Sequence, residues 1–119
     1  MHLSRAEFER VVEEALTSLP PQFAELVDNV AVVVEEEPSD DDLELIDEEG
    51  GELLGIYRGV ARTRRSFSML PMLPDQIAIF RGPILRVTRN RDHALRQVRE
   101  TVIHELGHYF GLHDADMVF

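Results

Sequence analysis

The feature that most constrains the fold is an apolar periodicity in the last third of the printed sequence. Apolar side chains recur there at intervals of three and four residues, which is the spacing of one helix face. They are Leu95, Val98, Val102, Leu106 and Phe110. Asp92 is a candidate N-cap before this run, and Gly111 follows it as the usual helix terminator. The pattern predicts one long helix against which other elements must pack.

A second helix is predicted near the start of the chain. Ser4 and Glu7 have the Ser-x-x-Glu spacing of a capping box, so this helix should begin at about residue 5. Its predicted apolar face consists of Phe8, Val11, Val12, Ala15, Leu16 and Leu19. Pro20 and Pro21 should end it. We expect this helix to serve packing alone.

Three short segments are predicted to be strands. Residues 30–34 form a β-branched apolar run without alternation, which favours a strand covered on both faces, and so a central one. Residues 53–60 are a second strand weakened by two glycines, and residues 76–80 alternate as a third. Residues 84–88 fit a short helix or a strand equally well.

Length and composition indicate one folded domain. With 119 residues and 44% hydrophobic content, the chain is long enough for one core and too short for two, so residues 1–119 should form a single domain. No stretch approaches the roughly 20 apolar residues of a membrane span, and the first twenty residues contain six charged side chains where a signal peptide would have an apolar region. We therefore expect a cytoplasmic protein with no membrane partner. The absence of cysteine limits transition-metal ligands to His and carboxylates.

The negative charge of the chain is concentrated in one segment. Residues 35–52 contain eleven acidic side chains and no basic one, while the rest of the chain has twelve of each sign. Such a block usually forms a solvated, weakly ordered loop, although it could instead recruit a basic partner. It should repel nucleic acid, and a nearby cluster of arginines at residues 58–65 should pair with it or stay solvated.

The long helix contains the sequence His104-Glu105-Leu106-Gly107-His108. Residues four apart lie one above the other on a helix, so both imidazoles can bind the same ion. Glu105 lies about 100° around the helix from His104, where it can reach a water on the metal without being a ligand. The alternative is that both histidines are ordinary, partly buried helix residues.

A catalytic zinc usually takes three protein ligands and leaves a fourth position for water. Gly111 can reverse the chain after the helix and bring residues beyond it back towards the metal. The third ligand then has two candidates, His113 and Asp114.

Residues 104–114 resemble the extended H-E-x-x-H-x-x-G-x-x-H/D signature of metzincin-type zincins. Together with the small size and the sequence from Gln76 onward, the chain resembles the bacterial minimal zincin-like metallopeptidase family. The resemblance implies an α+β fold in which a small mixed or antiparallel sheet packs on two main helices, one of them carrying the active site. It also implies an edge strand that aligns an extended peptide, for which residues 76–80 are our candidate.

The same resemblance implies roles for residues after the helix. It puts the third zinc ligand at Asp114, with His113 as the alternative. It offers Met117 as the methionine in a turn beneath the metal, although the linker is shorter than is usual in metzincins. Phe119 stands where some metzincins have a tyrosine, so no hydroxyl is available from that position.

The predicted function is a zinc peptidase with one ion, acting on peptide or protein substrates by metal-activated water with Glu105 as general base. Two alternatives belong to other classes. The first is a non-catalytic, zinc-stabilised module that binds a protein partner, with His113 joining Asp114 as a fourth ligand. The second is an acidic interaction module built on residues 35–52.

Overall fold

The computed structural model describes residues 2–44, 52–59 and 75–109, with residues 108 and 109 described by their backbone alone. The helices in these ranges are α1 Arg5–Thr17, α2 Pro21–Val27, α3 Asp40–Glu44, α4 Arg81–Val87 and α5 Arg91–Tyr109. The strands are β1 Val30–Glu35, β2 Gly55–Arg58 and β3 Asp75–Phe80. This is the α+β composition that the sequence predicts.

Helix α1 begins as its capping box predicts. The Ser4 hydroxyl accepts from the Glu7 N–H at 3.1 Å, and the Glu7 carboxylate accepts from the Ser4 N–H at 2.9 Å. The helix ends at Thr17, before the two prolines. Pro21 then starts α2, because its fixed φ and missing N–H suit the first position of a helix. The sequence analysis assigned no helix there.

The three strands form a mixed sheet in the order β1-β3-β2, with β1 parallel and β2 antiparallel to β3. The mixed sheet confirms the predicted fold class, but two strand positions are corrected. Residues 30–34, predicted as a central strand, lie in the edge strand β1. Residues 76–80, predicted as an edge strand, lie in the central strand β3. A β-branched run indicates apolar surroundings, whereas the number of paired neighbours depends on how the chain assembles.

The main core lies between one face of the sheet and the helices. Ile77 and Ile79 of β3 are fully buried against a cluster that includes residues of α1 and α5. Within α5, Val98, Val102 and Leu106 are fully buried, and Leu95 is half-buried, as the predicted apolar face requires. Phe110, the last residue of that predicted face, lies outside the described residues. Helices α1 and α5 are therefore the two main packing helices.

The start of α5 differs from the prediction by two residues. Asn90, and not Asp92, is the N-cap: its side-chain oxygen accepts from the His93 N–H at 2.8 Å, and the helix begins at Arg91. Asp92 lies in the first turn, where its negative charge interacts favourably with the positive end of the helix dipole. Both residue types cap helices well, so the sequence pattern alone could not choose between them. Among the described helices, none combines the length and the apolar character that crossing a membrane requires.

The acidic segment is only partly as predicted. Residues 45–51 lie outside the described residues, whereas most side chains of residues 35–44 are exposed to solvent, as predicted, but the backbone there is partly regular. Glu35 ends β1, residues 40–44 form α3, and Asp42 is buried. Ser39 and Asp42 cap α3 reciprocally, with distances of 2.9 and 3.1 Å. An ion pair with Arg58 compensates the cost of burying the Asp42 charge. Arg58 belongs to the arginine cluster, so this pair agrees with the predicted pairing between that cluster and the acidic segment.

Candidate functional site

The predicted metal-binding motif lies within one helix. Positions 104 to 108 all belong to α5, which continues to Tyr109. Four residues of α-helix rise about 6 Å and turn about 400°, so backbone positions 104 and 108 lie on the same side of the helix, about one turn apart. The backbone therefore satisfies the first condition for two imidazoles to share an ion. The His108 side chain lies outside the part of the chain that the structure describes.

The motif divides between the core and the surface. Leu106 and Gly107 are buried, whereas His104 is exposed and Glu105 is half-buried. The division follows from helix geometry, because Leu106 continues the apolar face of Val98 and Val102 and the polar residues lie around the helix from it. The core contact of Leu106 thus anchors the stretch of helix that presents His104 and Glu105.

Glu105 makes a specific contact with the sheet. Its Oε1 atom accepts a hydrogen bond from the main-chain N–H of Tyr57 in β2, at 3.0 Å. The Phe80 N–H donates to the Leu54 carbonyl. Main-chain groups alternate sides along an antiparallel strand, so Ile56 and Arg58 also face β3, and the Tyr57 N–H points away from it. Glu105 therefore binds the outer edge of β2.

A glycine lets α5 approach β2 closely. A Cβ atom at Gly55 would lie 2.7 Å from Cγ2 of Thr101 in α5 and 2.9 Å from the Ala78 carbonyl oxygen. From Thr101 to Glu105 the helix rises about 6 Å, and from Gly55 to Tyr57 the strand advances about 6.8 Å. The two elements advance together, so the contact at Gly55 brings Glu105 level with the Tyr57 N–H.

The side chains of β2 anchor the strand at its far end. The Tyr57 hydroxyl donates to Asp75 Oδ2 at 2.9 Å. Arg58 donates to both carboxylate oxygens of Glu35, at 2.8 and 2.9 Å, and to both of Asp42, at 2.8 and 3.0 Å. These contacts join β2 to the start of β3, the end of β1 and helix α3.

Arg58, Glu35 and Asp42 stabilise one another in their charged forms. Hydrogen bonds from Arg58 hold the pKa of Glu35 below its usual value, against the opposing effect of burial. Burial works to raise the pKa of Asp42, but hydrogen bonds from Arg58 and Ser39 outweigh it and leave that pKa lowered. The two carboxylates in turn raise the pKa of Arg58. All three groups are therefore charged at neutral pH.

The described residues contain part of the predicted metal site. Among the described residues, no three His, Asp or Glu side chains come together as a metal-binding group. Asp114, its alternative His113 and the proposed Met-turn residue Met117 lie outside those residues, and their roles stay predictions. The motif supplies two histidines four positions apart on one helix, a residue type and a spacing that fit zinc.

Comparison with known families shows which family the chain belongs to. Residues 27–118, more than three quarters of its length, match the model of the zincin-like metallopeptidase family. The chain belongs to this family. The matched region contains all three strands and α5, with the motif of residues 104–108, whereas α1 precedes it. Membership of a zincin-like family implies zinc binding in general.

The fold is also similar to a solved structure. A conserved hypothetical protein from Thermus thermophilus superposes with a TM-score of 0.55 at 23% sequence identity. The similarity covers 91% of this chain and 94% of that one. At this identity the similarity supports the α+β fold alone. No curated protein sequence matches the chain.

Sequence reasoning missed the part that β2 plays beside the motif. It treated Gly55 only as one of two glycines that weaken a strand, and it assigned no site role to Tyr57. Tyr57 packs on the main core, and its main-chain N–H also binds Glu105. The available signal was Gly55 itself, since a glycine inside a strand often marks a place where another element approaches the backbone closely.

Proposed function

We propose that the protein is a zinc-dependent peptidase in which His104, His108 and Asp114 hold one zinc ion and Glu105 is the general base. The observation that supports this most is the contact between Glu105 and the outer edge of β2. It brings the proposed base to a sheet edge, and a sheet edge is where an extended peptide can bind by strand addition.

The strand that aligns the peptide is β2 in this proposal. The sequence analysis gave that role to residues 76–80, but these are paired on both sides in β3. The main-chain groups of Gly55 and Tyr57 face outward, away from β3. A peptide that pairs with the main-chain groups of Gly55 would run alongside α5, within reach of Glu105, while the Tyr57 N–H stays bound to that carboxylate.

The chemistry divides between the metal and Glu105. When bound, zinc would polarise the scissile carbonyl and make water more acidic. Glu105 takes the proton from the attacking water and then delivers it to the nitrogen of the leaving amine, so that the peptide bond gains one water molecule in total. Its half-buried position on α5 suits a carboxylate that must meet both water and substrate.

A second candidate function is a zinc-stabilised module that binds a protein partner without turnover. The same contact favours it, because Glu105 also connects α5 to the sheet and could serve stability alone. In this alternative a fourth protein ligand, His113 beside Asp114, closes the metal site. The two functions differ in whether Glu105 must exchange a proton.

The test is Glu105→Gln, which keeps a side-chain oxygen for the Tyr57 N–H but cannot act as a base. Purified zinc-loaded protein is incubated with a mixed peptide library, and new termini are identified by mass spectrometry. A peptidase should lose at least about 100-fold in turnover in Glu105→Gln while retaining zinc and thermal stability. Glu100→Gln, an exposed glutamate on the same helix, is the matched control and should cleave as wild type does.

The outcomes separate the two functions. Cleavage by wild type that Glu105→Gln abolishes supports the peptidase. If the zinc-loaded wild type cuts no peptide, or if Glu105→Gln cuts as fast, the peptidase proposal is rejected. Stable capture of a protein by both variants would then support the binding module.

A further inference from the structure

The main-chain N–H of Tyr57 stands out because its partner is a long, flexible carboxylate from another element. Glu105 has three side-chain torsions, so an unrestrained carboxylate at this position would occupy many orientations. The hydrogen bond from Tyr57 fixes one of its oxygens at 3.0 Å. A hydrogen bond to a charged acceptor is stronger than one between neutral groups, so it can select one orientation.

We infer that the Tyr57 main-chain N–H is a positioning group for the Glu105 carboxylate during catalysis. The inference rests on the proposed function of Glu105 as general base. A base that is already oriented loses no torsional freedom in the transition state, and this preorganisation increases the rate of the chemical step. Tyr57 thus acts through Glu105 and not on the substrate directly.

The surrounding contacts fix this N–H from several directions. Gly55 packs on Thr101 and sets the distance between strand and helix. Arg58, the next residue after Tyr57, is held by two carboxylates, and the Tyr57 hydroxyl is held by Asp75. The N–H is therefore attached to a strand whose position is determined before Glu105 binds it, as a positioning group requires.

The first experiment measures the contact without activity. In the ¹⁵N-labelled, zinc-loaded full chain, amide hydrogen exchange should be slow at Tyr57 although its N–H lies on an outer sheet edge. Glu105→Ala should accelerate exchange there by at least about tenfold, whereas Glu105→Gln, which retains an acceptor oxygen, should keep part of the protection. Glu100→Ala is the control. Equal protection in wild type and Glu105→Ala would overturn the inference.

The second experiment removes only the N–H. Tyrosine at position 57 is replaced with its α-hydroxy acid, which converts one amide to an ester and keeps the side chain. We expect kcat to fall about 10- to 100-fold, with KM changed by less than about twofold and zinc content unchanged. An ester at Val32, in the edge strand β1, is the matched control and should retain kcat.

The combined results distinguish this inference from the proposed function. Unchanged kcat in the Tyr57 ester, or an equal loss in the Val32 ester, would show that the hydrogen bond serves structure alone. If the wild type cleaves no peptide while the exchange difference is present, the proposed function fails and the catalytic inference falls with it. In that case the contact itself remains established as a link between α5 and β2.

Discussion

Arg58 and Asp42 form a two-pronged ion pair at the end of β2, with Nη2 to Oδ2 at 2.8 Å and Nε to Oδ1 at 3.0 Å. The Asp42 side chain is only 5% exposed and that of Arg58 is 20% exposed. This pair connects α3, in the acidic segment, to the strand that contacts Glu105. Within the described residues, the acidic segment therefore helps to hold β2 in place beside Glu105.

Removing the Asp42 charge should destabilise the protein. Asp42→Ala leaves the Arg58 guanidinium partly buried with one of its two carboxylate partners missing, and breaking such a pair costs about 3 kcal/mol. Urea unfolding followed by circular dichroism measures the free energy of unfolding. Asp41→Ala, an exposed neighbour in the same helix, should change it by less than about 0.5 kcal/mol. Equal losses in the two variants would contradict a specific role for the pair.

The same cluster predicts a dependence of stability on pH. The pKa values of Asp42 and Glu35 are lowered in the folded protein relative to their ordinary values of 3.8 and 4.5. Near pH 4 the unfolded chain therefore binds more protons at these positions, so their contribution is complete above about pH 5 and is lost as the pH falls. Urea unfolding from pH 7 to pH 3 measures this loss.

The comparison with Asp42→Asn isolates the contribution of the pair from the general relief of charge repulsion in an acidic chain. Asp42→Asn should show a smaller loss of stability between pH 5 and pH 3 than wild type does. Parallel pH profiles for the two proteins would contradict the assignment.

Gly55→Ala should displace α5 from β2. The new Cβ would lie 2.7 Å from Thr101 Cγ2 and 2.9 Å from the Ala78 carbonyl oxygen, and such overpacking costs about 1–3 kcal/mol. Thr101→Ser deletes the clashing methyl group, so the double variant should recover part of the stability. The recovery should be incomplete because the Ala78 carbonyl belongs to the backbone of β3 and cannot be trimmed. Thermal unfolding of the wild type, the two single variants and the double variant gives the coupling energy between the two positions. Strictly additive changes in stability would contradict the contact.

Zinc binding should depend on the motif residues and not on the base. His104→Ala, His108→Ala and Asp114→Ala should each weaken zinc affinity by at least about 100-fold, because each removes one of the three proposed protein ligands. Glu105→Gln should bind zinc as wild type does. Competition with a chromophoric chelator measures the affinity, and metal analysis of the purified protein should give one zinc per chain.

The choice of third ligand has its own control. His113→Ala should retain zinc if Asp114 is the ligand. Loss of zinc in His113→Ala, with retention in Asp114→Ala, would transfer the role to His113. Loss in both variants would favour the closed site of the binding module.

Local sequence patterns predicted several features correctly. The Ser4 and Glu7 capping box needs only residues three apart, and the buried face of α5 needs only a repeat of three and four residues. The helical spacing of His104 and His108 is of the same kind. In each case the interacting residues lie within about one helical turn, so helix geometry alone determines which of them meet.

The sequence by itself thus determined the two main helices, the presence of both helices and strands, and the arrangement of the motif along α5. Only the tertiary structure decided the strand order, the partner of Arg58 in α3 and the contact between Glu105 and Tyr57. These last two residues are 48 positions apart. A strand's apolar pattern shows that it is covered but not which neighbours pair with it, and a backbone N–H has no signature in the sequence. The site beside β2 therefore follows from how the sheet and α5 pack together.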